Sequence, residues 1–108
     1  EGIPGIPMNG RQTLSENVSD QGAVQCITEV ASRLNNPDYQ KLYRAMANAW
    51  ASTKTREYAS YAAGVDVHAE DKLRVNRTVV NCDAFYDAFG ITEQDGMWIA
   101  PAERVKIW

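Results

Sequence analysis

Two short stretches of this sequence place reactive side chains at spacings that invite chemistry. In SENVSDQG, Glu16 and Asp20 stand one helical turn apart. On a helix that spacing puts both carboxylates on one face, about 5–6 Å apart at Cβ. Two like charges so placed repel unless a cation lies nearby, so the pair suits a metal ion or a basic partner. An acidic first turn that merely satisfies the helix dipole would look the same. In DVHAEDKLR, Asp66 stands two before His68, and Arg74 follows. A carboxylate there can orient the imidazole and stabilise the imidazolium, which can donate to a developing oxyanion if it faces a cavity. An exposed loop histidine beside an incidental acid fits the same residues. Arg74, between Leu73 and Val75, either pairs with a carboxylate, Asp66 being one candidate, or points to solvent in a strand-like alternation.

The elements that must carry these groups read as helices and loops. Residues 1–13 hold three Gly and two Pro without a period, an extended lead-in segment that gains order only by lying on something. A helix capped by Thr13 or Ser15 follows. Leu14, Val18, Val24, Ile27, Val30, Ala31 and Leu34 form its apolar face down to the Asn35-Asn36-Pro37 stop. Gly22 costs about 1 kcal/mol relative to Ala inside a helix, which a close neighbour would explain and solvent would not. A second helix opens near Pro37, with Tyr39, Leu42, Tyr43, Met46, Ala47 and Trp50 as its buried stripe. A third covers 54–63 with Tyr58, Tyr61 and Ala62 inward and Gly64 as its stop. Residues 65–79 alternate and read as an ordered loop with a short extended stretch. Residues 81–89 return to helical spacing and stop at Gly90, and the tail is a loop ending in Trp108. The fold class is therefore mainly α with ordered loops. The aromatic residues at helical spacing read as core, and the Asn-x-Ser/Thr triplets at Asn17 and Asn76 as chance matches to a glycosylation acceptor.

Composition narrows the functional classes. The 108 residues carry 11 Lys+Arg and 14 Asp+Glu, a net charge of −3, which disfavours a broad grip on nucleic acid or an anionic membrane. No apolar run approaches the ~20 residues of a membrane span, and no signal peptide is read at the start. Cys26 and Cys82 are too few for a disulfide framework and too far apart for a metal knuckle. There is a single histidine. A catalytic zinc site commonly takes two histidines and a carboxylate, and the helical HExxH signature needs two histidines by itself. This chain cannot hold a complete zinc hydrolase of that type.

Taken in order, TLSENVSDQGAV, the Ala47–Trp50 stretch with Arg56, DVHAEDKLRVN and MWIAPAERVKIW resemble the C-terminal end of the neprilysin family of zinc metallopeptidases, over about residues 8–108. The resemblance implies a helical C-terminal fragment of a thermolysin-like catalytic domain, with 14–108 as a single unit behind the 1–13 lead-in. It implies Glu16 as the third zinc ligand and Asp20 as the carboxylate supporting a histidine ligand. Asp66 would orient His68, His68 would stabilise the tetrahedral intermediate, and Arg74 would contact the carbonyl side of the substrate. The HExxH helix, with the remaining ligands and the general base, would belong to a missing upstream part of the same enzyme.

The expected function is peptide hydrolysis by the parent enzyme. This piece alone would be inactive, would bind zinc weakly, and would either self-associate or leave a sticky groove at the face that meets the HExxH helix. Relatives of this kind imply a periplasmic, cell-envelope or secreted location, or the cytoplasm in some bacteria. Two rivals remain: a non-catalytic helical interaction module and an inactive relative. The module reading expects Glu16, Asp20 and His68 scattered on solvated faces. The peptidase reading expects Glu16 and Asp20 on one exposed face beside a loop carrying Asp66, His68 and Arg74.

Overall fold

A computed structural model describes residues 2–108; Glu1, the first residue of the lead-in, lies outside the described residues. Five helices follow one another: α1 (Leu14–Ser32), α2 (Tyr39–Trp50), α3 (Arg56–Val65), α4 (Asp71–Val79) and α5 (Asp83–Phe89), with a 3-10 turn at Pro101–Glu103. The described residues include no named strand, only an isolated bridge between Ile3 and Ile6. α4 packs on both α1 and α2, and α2 packs on α5. The shared core is Val24, Tyr43, Val79, Val80, Cys82, Phe85 and Tyr86. Phe85 meets Tyr43 and Tyr86 edge to face, with ring centroids 6.0 and 5.6 Å away.

The main departure from the sequence reading is α4, a helix where a loop with an extended stretch was expected. Its buried residues are Val75, Thr78 and Val79, one stripe at helical spacing. The Glu70 side chain caps it by accepting from the Lys72 N–H, Asp71 sits in its first turn and Arg77 in its last, both favoured by the dipole. Thr78 Oγ1 donates to the Arg74 carbonyl at 2.7 Å. With so narrow a stripe, flanked by charged residues, the apolar positions mimic alternation. Arg74 therefore sits on a helix, not on a loop.

Several expected core residues are not core. On α1, Leu14, Val18, Ile27 and Val30 are exposed, as is Leu34 just past its end, and the side turned inward carries Gln21, Val24 and Ala31. The apolar residues of α1 spread around much of the helix, so one face meets α4 while another is left uncovered. On α3, Ala59 is buried, beside a cavity it shares with Ile3, Ile6 and Met8 of the lead-in, and Tyr58 and Tyr61 stand exposed. The helix also runs through Gly64 to Val65. Trp50, at the end of the α2 stripe, is 38% exposed. Thr13 makes no side-chain cap; it is buried, and its hydroxyl donates to the Asn9 carbonyl and accepts from Asn17. The neighbour that Gly22 calls for is the Trp108 ring, whose nearest carbon would lie 3.2 Å from a Cβ there. Gly90 ends α5 with φ +63, a left-handed turn that glycine adopts without strain.

The described surface measures 7189 Å², against roughly 6,000 Å² for a compact monomer of this mass. The radius of gyration, 14.5 Å, likewise exceeds the roughly 13 Å of a 100-residue domain. No helix among the described residues is long and apolar enough to cross a membrane.

Candidate active-site face

The first turns of α1 present Glu16 half-exposed and Asp20 largely covered. The end of α3 delivers the histidine. Asp66 closes that helix, its N–H bonded to the Ala62 carbonyl at 2.8 Å. Its Oδ1 then accepts from the His68 main-chain N–H at 2.8 Å and contacts the His68 ring Nδ1 at 2.9 Å. An Asx turn of this kind fixes both backbone and ring. A carboxylate accepts only, so Nδ1 carries the proton in this contact. Nε2 lies 3.3 Å from Glu16 Oε2. The His68 N–H groups hold the Asp66 carboxyl below its ordinary value, the backbone bond being the larger cause. Gln12 pins the same corner from the lead-in segment, donating from Nε2 to the Asp66 carbonyl at 2.7 Å.

Arg74 reaches back across α1 from α4. Its Nε and Nη2 donate to Asp20 Oδ2 and Oδ1 at 2.7 and 2.9 Å, a bidentate fork with both side chains 14% exposed. Its guanidinium carbon lies 4.2 Å from the centre of the Trp50 ring. The bonds to Asp20 raise the Arg74 pKa further, and Asp71 and Glu16 add to this. Of the partners open to Arg74 in the sequence, the structure selects Asp20 rather than Asp66. No local pattern signals that pair, nor Trp50 under Arg74, since the contacts cross between helices. Each Asp20 oxygen keeps a second lone pair for another donor.

The structure thus gathers Glu16, Asp66 and His68 into one contact chain, with Asp20 one turn further along α1 and Arg74 reaching it from α4. Asp20 is held inside the structure rather than standing exposed. Among the described residues no group of three His, Cys, Asp or Glu side chains is arranged to hold a metal ion. Glu16 can offer one carboxylate donor, and other ligands must come from elsewhere. Cys26 and Cys82 are both free, the first exposed and the second buried.

The sequence pattern of peptidase family M13 matches residues 3–105, nearly the whole chain. The chain belongs to peptidase family M13. It is 34% identical over 102 residues to a neutral endopeptidase of Lactococcus lactis subsp. lactis (strain IL1403), covering 94% of this chain and 16% of that protein. With the neutral endopeptidase of Lactobacillus helveticus it shares 36% over 101 residues, again 94% of this chain and 16% of the relative. With mouse neprilysin it shares 26% over 117 residues, 96% of this chain and 15% of the relative. The chain thus spans about one sixth of the length of these M13 relatives. No solved structure matches it. Membership of M13 makes this a segment related to metallopeptidases, and its helical architecture is that of a mainly-α part of such a domain.

Proposed function

We propose that this chain is the C-terminal part of the catalytic domain of a zinc endopeptidase that hydrolyses peptides. The observation that carries the reading is the meeting of Glu16, the Asp66–His68 pair and the Asp20–Arg74 pair on one face of an M13 segment. In this reading Glu16 supplies one carboxylate to zinc, and the polypeptide upstream supplies two histidines and the general base. When bound, zinc supplies Lewis acidity and an activated water. Asp20, fixed by the Arg74 fork, uses its spare lone pair to accept the second ring N–H of a histidine ligand. His68, its Nδ1 side engaged by Asp66, donates from Nε2 to the oxyanion that forms as the peptide carbonyl is attacked. Arg74 offers its remaining N–H groups to the substrate carbonyl side.

The test uses the parent polypeptide. Glu16→Gln should remove most of the bound zinc and the hydrolysis of a fluorogenic peptide. His68→Phe should leave zinc in place and lower kcat by about 10²–10³, the usual loss for an oxyanion donor. Full zinc content and activity in Glu16→Gln would overturn the assignment. The 108-residue chain alone should cleave nothing and bind zinc weakly, and a stoichiometric nanomolar titration would contradict that part.

A further inference from the structure

A groove of about 330 Å³ adjoins this face through Arg74 and runs between the start of α1, α4 and the C-terminal tail. Leu14, Val18, Leu73 and Ile107 make it largely apolar, and Gln21, Asn81 and Arg77 are among its polar members. Gln21 is only 4% exposed, and its Nε2 is buried without an acceptor among the described residues. The orientation of that amide is forced. Asn81 Oδ1 accepts from the Val105 N–H at 2.8 Å, so Asn81 must present its NH2 on the other side. That NH2 donates to the Arg77 carbonyl and to Gln21 Oε1, at 2.9 and 2.8 Å. Turning Gln21 over would set one NH2 against another, so its own NH2 is left unpaired. A buried donor with no acceptor is costly and uncommon in a finished fold. Arg77 is exposed and forms no ion pair among the described residues.

We propose that this groove seats an extended segment of the remaining parent polypeptide. The segment gives a main-chain carbonyl to Gln21 Nε2, an apolar side chain to the space beside Leu14, Val18 and Leu73, and a carboxylate to Arg77. Leu14 and Val18 are 59% and 46% exposed, so the rim has solvent behind it and can move aside to admit the carbonyl. A segment of the same polypeptide is the occupant because the chain amounts to 16% of its bacterial relatives. It also exposes about 1,200 Å² more surface than a compact monomer, and one side of a standard protein interface covers about 800 Å². The proposal rests on the reading of this chain as part of a longer peptidase, but not on the assignment of zinc ligands.

The experiment places p-benzoylphenylalanine at Leu14 in the full-length parent, mixed from isotopically light and heavy preparations, with and without a peptide substrate. The expected result is a cross-link within one polypeptide to a peptide outside residues 1–108 that contains Asp or Glu. Its yield should fall several-fold in Arg77→Glu and return when that acidic residue is changed to Lys. A light–heavy cross-link would assign the groove to a second copy, and a cross-link to the added peptide would assign it to substrate; either overturns the proposal, as does no cross-link. If the bulky probe blocks folding, Leu14→Cys is alkylated in the native and urea-unfolded parent instead. Strong native protection supports the occupant and equal reactivity refutes it. Peptide hydrolysis by the unmodified parent is read in parallel, so an inactive parent with the internal cross-link intact would count against the peptidase reading alone.

Discussion

Replacing Arg74 by Met should destabilise the folded chain by about 3 kcal/mol. The substitution removes two charge-assisted hydrogen bonds, generally worth about 1.5–3 kcal/mol each, and a cation–π contact of about 0.5–2 kcal/mol. These do not add in full, since the bonds share one guanidinium. What remains is the Asp20 carboxylate, with 14% of its side chain exposed and its partner gone. Removing one member of a buried pair typically costs about 3–5 kcal/mol, and the slight exposure here argues for the lower end. For a chain of this length that corresponds to roughly 12 °C in Tm, at about 4 °C per kcal/mol. The assay is thermal and urea unfolding followed by circular dichroism, on the wild type, Arg74→Met, Asp20→Leu and the double variant. The double variant should be at least 1 kcal/mol more stable than the sum of the single losses implies, well beyond the ~0.5 kcal/mol scatter of independent sites. Raising NaCl to 1 M should leave that coupling largely intact, because covered charges are poorly screened. Additive single losses, or an Arg74→Met variant within about 0.5 kcal/mol of wild type, would reduce the pair to an ordinary surface contact.

Three further outcomes follow from the packing. Asp83 is held low by hydrogen bonds from Lys106 and Arg104; at Asp71 burial pushes upward, but the bonds from Lys54 and Ser52 more than reverse it. A lowered carboxyl stabilises the fold above its unfolded value of 3.8 and loses that contribution as pH falls through its folded value. Acid unfolding should therefore set in below about pH 4 and be less steep in Asp71→Asn, which unfolding scans at stepped pH would detect. Tyr43 is 3% exposed and shares a 2.9 Å hydrogen bond with Thr28. Tyr43→Phe should lose about 1 kcal/mol in urea titration. Because burial pushes the Tyr43 phenol upward, the wild type should also lose stability above pH 10.0, where the unfolded tyrosine ionises, and the variant should lose less. Gly22→Ala should be neutral or stabilising by up to about 1 kcal/mol, because the Trp108 ring it crowds is 75% exposed and can shift. A clear loss of Tm would show that ring to be firmly held.

Local chemistry made much of the architecture readable. α1, α2 and α5 were visible from periodic apolar residues, and the Gly90 stop from its backbone preference. The Glu16–Asp20 spacing and the Asp66–His68 turn are short-range features, and both have the expected local geometry. What was hidden depends on partners distant in sequence. The Arg74–Asp20 bond joins residues 54 apart, and no local pattern distinguishes it from a pair with Asp66. α4 escaped notice because its helical stripe is three residues wide. The exposed tyrosines of α3 and the bare side of α1 are a different case: apolar spacing marks a face able to pack, and among the described residues these side chains stay exposed.

Asn81 has a consequence for how tolerance to substitution will read along this chain. One planar amide accepts from the tail and donates to both α1 and α4. Aspartate would keep the acceptor but bring no donors, leucine would keep the outline but offer neither, and glutamine would carry the same groups one methylene too far. Saturation mutagenesis should therefore show position 81 as intransigent as any catalytic residue, but for mechanical cause: the yield of folded protein would fall.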